Sequence, residues 1–261
     1  MNHLLLDYLP AYILIGSLAT VSSVLIGIHR GLKRAGWPDR DRKRAVGSIA
    51  ALLVTWFFAA LGPAWLGLYR GTTSGIPTIQ YGIVIPLLIA LTLYLRWSLL
   101  RSVIEAIPQK WLAGVQFFRT MGLIFLLLYA AGRLPGVFAL PTGFGDMAIG
   151  LLAPIVGLAY VRRPQAVAGW LRTWNLLGLT DLIVALTTGF LSSPSRLQRF
   201  AFDHPSDLIS AFPLVMIPVF LVPLAILLHL ASLKKLSQVG GEACLLSTRF
   251  QYRRSLGNSP V

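Results

Sequence analysis

The sequence predicts an all-α fold, a polytopic transmembrane helical bundle of about seven spans, and three observations predict it. First, 56% of the 261 residues are hydrophobic and only 12% are charged, against about 25% charged in ordinary soluble domains. A soluble fold of this size could not cover its surface with so few polar groups. Second, apolar runs recur along the whole chain at the length of about 20 residues that a bilayer requires. Third, the Lys and Arg residues between the runs fall mostly on alternate sides. Together these exclude a soluble globular enzyme and a disordered chain. With Cys244 as the single cysteine, they also exclude a disulfide-rich secreted domain.

The predicted spans are 8–28, 46–68, 77–95, 112–132, 143–161, 173–192 and 208–232. The first has no Lys or Arg ahead of it and is long enough to cross, so it reads as a span rather than a cleaved signal peptide. Residues 1–232 then form a transmembrane domain. Residues 233–261 form a basic cytoplasmic tail, expected to be disordered, in which Cys244 is idle. The connection 29–45 carries Arg30, Lys33, Arg34, Arg40, Arg42, Lys43 and Arg44. Counted over alternate sides, 18 Lys and Arg stand against 4, which places the N-terminus outside and the C-terminus inside. The formal net charge of +14 is therefore a topology signal, and no nucleic-acid partner is expected.

Flanking residues agree with that arrangement. Trp97, Trp111, Trp170 and Trp174 fall at cytoplasmic ends and Trp65 near an outer end, as an aromatic belt would place them. In 97–107, Leu99, Leu100, Val103, Ile104 and Ile107 share one helical face. This segment reads as a short surface helix stopped by Pro108, or else as a continuation of a neighbouring helix. The stretch 193–207 reads as an outer loop.

Polar groups inside apolar runs carry the most information, because each uncompensated charge in hydrocarbon costs several kcal/mol. Asp181 stands near the middle of the sixth run, about 10–15 Å from either surface at 1.5 Å per residue. It is the sharpest candidate for an ion or proton site; the bland reading is an Asp that ties helices together. Asn175, six residues earlier, lies on a different face of that helix. Asp146 is expected near the outer end of the fifth run, in an interfacial salt bridge with Arg133. Arg119 and Gln116 sit inside the fourth run. Arg119 is expected to snorkel to the interface; the alternative is that it turns inward to Asp181. His29 and His229 close the first and seventh runs on the same side and could hold haem b or a metal, although interfacial histidines without such a role are commoner and no cofactor is expected. Pro213, Pro218 and Pro223 open the ladder of the seventh run, giving a bent helix beside a cavity or a merely curved one. The nine residues from Gly143 can be laid on the nine from Gly178 with Asp146 and Asp181 aligned, on helices expected to run in opposite directions, the pattern of an inverted repeat.

The stretches LPGVFALPTGFGDMAIGLLAP, WNLLGLTDLIVALTTGFLSSP and PLVMIPVFLVPLAILLHL resemble a family of bacterial multi-pass inner-membrane proteins of unassigned function. The resemblance covers roughly residues 112–232 and implies a bacterial inner membrane and a helical bundle, with no activity to transfer.

The leading functional expectation is a small-solute or ion transporter or channel with an intramembrane carboxylate. The alternatives are a haem- or metal-binding redox protein and a non-catalytic subunit of a membrane complex. HExxH, CxxC and GxSxG motifs are absent from the sequence, which leans against an enzyme. A retinal protein is rejected, since the seventh run holds no lysine and Lys234 and Lys235 follow its expected end. The expected partners are the lipid bilayer and a small solute or ion.

Overall fold

The structure is a computed structural model that describes residues 2–238; the rest of the expected tail, Cys244 included, lies outside the described residues. Every regular element among the described residues is helical. Seven helical segments there are long and apolar enough to cross a membrane.

In order, α1 is Asn2–Arg34, α2 Asp39–Trp65 and α3 Ile79–Arg96. A short α4, Ser98–Ala106, and α5, Gln109–Gly114, lead into a 3-10 segment Val115–Gly122 that continues as α6, Leu123–Ala130. Then come α7, Gly136–Arg162, and α8, Pro164–Ser192. The last span, α9, is Ile217–Gln238. We call the side carrying the connections 35–38 and 97–108 the basic face, and the side carrying 66–78 and 193–210 the opposite face.

Most helix surface is apolar all round, so the buried stripe, rather than amphipathicity, marks the packing side. In α1 that stripe is Leu9, Ile13, Ser17, Thr20, Val24, Ile28 and Leu32, the three- and four-residue spacing of one helix face. Its hydroxyls are satisfied locally: Ser17 donates to the Ile13 carbonyl and Thr20 to that of Gly16, each at 2.8 Å. Outward residues such as Phe58 and Leu88 are exposed, as lipid-facing positions must be. On α9, Phe220 is fully buried and receives Trp56 and Phe57 of α2 edge-on, with ring centroids 4.9 and 5.3 Å away.

A short helix expected over 97–107 is present as α4, set off from α3 by the extended backbone of Trp97. Val103 and Ile107 are buried, and Lys235 donates to the carbonyls of Glu105 and Ile107 at 2.6 Å, satisfying carbonyls at the end of α4.

Three expectations need correction. The fourth span is not one regular α-helix; its middle eight residues wind as a 3-10 helix. The seventh begins later and ends later than 208–232: residues 207–215 form a 3-10 turn and further turns, and the helix continues to Gln238. A helix begun near 208 would need the missing N–H groups of Pro213 and Pro218 in its interior ladder, whereas in a span that opens as a π segment, Ile217–Leu221, Pro218 falls in the first turn, where its N–H is not required. The end extends because Ser232 and Leu236 are buried against the bundle, so Lys234 and Lys235 lie within the helix, at its basic end. Finally, Trp174 is not in an interfacial belt. It is buried, packs on the His229 ring at 5.1 Å and donates to the Ile149 carbonyl at 3.3 Å.

Candidate functional site

The site grows from the 3-10 segment. In a 3-10 helix, residues three apart eclipse one another, so Gln116, Arg119 and Gly122 form one line, and all three are buried. Arg119 lies about 15 Å along its span and is only 3% exposed. Its expected snorkelling does not occur. A guanidinium so deep must have its donors satisfied, and four groups do so. Nε donates to Asp146 Oδ1 at 2.7 Å. Nη2 pairs with Asp181 Oδ2, the inward alternative of the sequence reading. Nη1 donates to the Gly178 carbonyl at 3.1 Å and lies 3.3 Å from His229 Nε2.

Asp146 is thus not the outer partner of Arg133. Arg133 is exposed, whereas Asp146 is 8% exposed and ten residues into α7, about 15 Å deep. The two aspartates aligned in the nine-residue similarity converge on one guanidinium from antiparallel helices. Glycines permit the close approach. A Cβ on Gly145 would strike the Asp181 carboxylate, and one on Gly178 would strike the His229 ring.

Hydrogen bonds then lead toward the basic face. Arg119 can only donate, so His229 Nε2 accepts, and the neutral ring carries its proton on Nδ1. Nδ1 donates to Asn175 Oδ1 at 2.9 Å. Asn175 Nδ2 in turn donates to the Leu171 carbonyl at 2.7 Å and to Ser232 Oγ at 2.9 Å. Gln109 Nε2 reaches the same Ser232 Oγ at 2.5 Å. Gln116 donates to the Ala225 carbonyl at 2.9 Å. The oxygens Gln109 Oε1 and Gln116 Oε1 are buried without a partner.

On the other flank Asp146 floors a mainly apolar cavity of about 60 Å³, which reaches Tyr69, Gly71 and Pro194 at the opposite face. A smaller space of about 20 Å³ joins Asp146 to Arg119 beneath it. Thr142, one turn from Asp146, lines the large cavity, and its hydroxyl is buried and unpartnered.

The sequence-predicted residues Asp181, Arg119, Asn175, Gln116, Asp146 and His229 are therefore gathered in one region of the bundle interior. Asp146, rather than Asp181, faces the large cavity. His29 is exposed and lies outside the network, while both nitrogens of His229 are engaged by Asn175 and Arg119. No group of three or more His, Cys, Asp or Glu side chains with metal-binding geometry occurs among the described residues. Sequence reasoning missed Gln109, Ser232 and Thr142. Gln109 and Ser232 sit near expected span ends, and Thr142 just ahead of one, where polar residues are ordinary.

No curated protein and no solved structure matches the chain. Residues 76–237, more than half of the chain, match the model of a family described as a domain of unknown function, DUF8737. The matched region spans the whole network and leaves out α1 and α2. The chain is a helical protein with seven potential membrane spans, and it belongs to the DUF8737 family.

Proposed function

We propose that this protein is a multi-pass transporter of the bacterial inner membrane, N-terminus outside and C-terminus inside, moving a small solute or ion past an intramembrane carboxylate. The observation that carries the reading is the sharing of one buried guanidinium by Asp146 and Asp181, with a cavity reaching Asp146. With both carboxyls ionised, the cluster Asp146–Arg119–Asp181 carries one net negative charge, and the neutral His229 adds none. An uncompensated charge in the membrane interior is costly. A proton forming an O–H bond with a carboxylate, or a monovalent cation beside it, cancels that charge.

Loading and unloading the cluster therefore change its charge between zero and minus one. This is the difference a transporter needs to couple occupancy to conformation. The neighbouring segments suit such a change: Arg119 rides on a 3-10 stretch and a π segment faces it across the smaller space. Both are helical forms that recur at hinges and functional sites. The 18-to-4 distribution of Lys and Arg supports the orientation. The resemblance of residues 112–232 to bacterial inner-membrane proteins supports the location.

The test is flux through proteoliposomes loaded with a pH-sensitive dye and driven by an imposed membrane potential, with sodium and potassium followed in parallel. Protein-dependent flux of protons or of one of these ions is expected, reduced at least tenfold in Asp146→Asn. Vesicles no more permeable than protein-free ones would refute the reading, as would full flux through a well-folded Asp146→Asn variant.

A further inference from the structure

We propose that the cavity floored by Asp146 binds a small organic ammonium ion with an apolar body, of the primary alkylamine class. The inference deepens the transporter reading and rests on it only for what happens after binding. Asp146 Oδ1 is held by Arg119 Nε, and its Oδ2 has no hydrogen-bond partner among the described residues. Thr142 stands four residues earlier on the same face of α7, and its buried hydroxyl lacks a partner. A carboxylate oxygen and an unsatisfied hydroxyl one turn apart are two acceptors for one N–H-rich head group.

Most of the remaining wall is apolar, and Tyr69, Ser193 and Ser210 are its other hydroxyl-bearing members. Phe125, Phe138, Leu182 and Ile217 line the cavity around these acceptors. An inorganic cation such as Ca²⁺ needs about six to eight oxygens, more than Asp146 and Thr142 supply between them. An ammonium ion brings its own donors, and its alkyl chain suits the apolar remainder. The volume sets the size. About 60 Å³, at roughly 10–15 Å³ for each water-sized group, holds about four to six such groups. That is a four-carbon chain with its nitrogen. The cluster's net charge of minus one selects a monocation over the isosteric alcohol and against the carboxylic anion.

The experiment is isothermal titration calorimetry on the full chain in detergent, with n-butylammonium as the probe. n-Butanol, n-butyrate, sodium and potassium are the comparison ligands at matched ionic strength. Saturable binding of n-butylammonium is expected, at least tenfold weaker in Asp146→Asn and about three- to tenfold weaker in Thr142→Val. Ala185→Leu, which projects into the cavity, should also weaken it. Should Asp146→Asn fail to fold, the other two variants decide. n-Butanol binding as tightly would overturn the proposal by showing a merely apolar cavity. Equal competition by sodium or potassium would overturn it in favour of an inorganic cation site, and unchanged affinity in both Thr142→Val and Ala185→Leu would overturn it as well. Binding without any flux in vesicles retains the site and rejects transport; ion flux without n-butylammonium binding rejects the site and retains transport.

Discussion

Replacing Arg119 by Leu tests whether the buried cluster holds the bundle together. The substitution removes the partner of Asp146 and Asp181 and leaves two carboxyl groups close together at mid-membrane depth. It also strips the hydrogen bond from His229 Nε2. Breaking a buried ion pair by removing one partner costs about 3–5 kcal/mol. For a chain of this size each kcal/mol shifts the midpoint by about 2–4 °C, so Arg119→Leu should lower it by about 6–20 °C. The triple variant Arg119→Leu, Asp146→Asn, Asp181→Asn removes every charge of the cluster. It should recover at least half of that loss, because deleting both sides of a buried pair is far cheaper than deleting one. The double variant Asp146→Asn, Asp181→Asn strands the guanidinium and should be as damaging as Arg119→Leu. Asp146→Asn alone leaves one carboxylate opposite Arg119 and should be mild. The assay is thermal unfolding in detergent followed by circular dichroism, with size-exclusion profiles before heating. An Arg119→Leu midpoint equal to wild type would refute the argument, and so would a triple variant no more stable than the single one.

Two further outcomes follow from the geometry. A Cβ on Gly178 meets the His229 ring, whereas one on Gly169 of the same helix meets nothing within 4 Å. Gly178→Ala should therefore cost about 1–3 kcal/mol by overpacking, while Gly169→Ala should be neutral or stabilising by up to about 1 kcal/mol; parallel melting curves compare them, and equal effects would contradict the packing described. Reporter fusions at Gly36 and in the C-terminal tail should read cytoplasmic, and those at Gly71 and Ser195 external. Arg196 N donates to the Gly75 carbonyl at 3.1 Å, so the connections 66–78 and 193–206 share one face. Opposite readings at Gly71 and Ser195 would break the seven-span arrangement.

The number of apolar helices, their rough limits and the separate short helix at Ser98–Ala106 were legible because a bilayer imposes one dominant rule. A run of about 20 apolar residues must bury its backbone polar groups in a helix. Polar residues within those runs were legible as a short list for the same reason, since hydrocarbon penalises each of them. What the list could not contain was partnership. Arg119 looked able to snorkel because regular α-helical winding leaves its azimuth open. The 3-10 stretch sets Arg119 in line with Gln116 and Gly122, and all three are buried in the interior. Asp146 looked interfacial because an apolar run gives no sharp starting point; the helix begins at Gly136 rather than near 143 and carries Asp146 about two turns deeper. Arg133 was the nearer in sequence, but Arg119 is its neighbour in space because Gly122 of the 3-10 stretch and Gly150 of α7 carry no Cβ where the two segments meet, against Asp146 and the Arg119–Thr120 backbone. Hydrophobicity is a property of each residue and is written in the chain one position at a time. Which carboxylate meets which guanidinium depends on helix rotation and interhelical distance, and these are set only when all the helices pack at once.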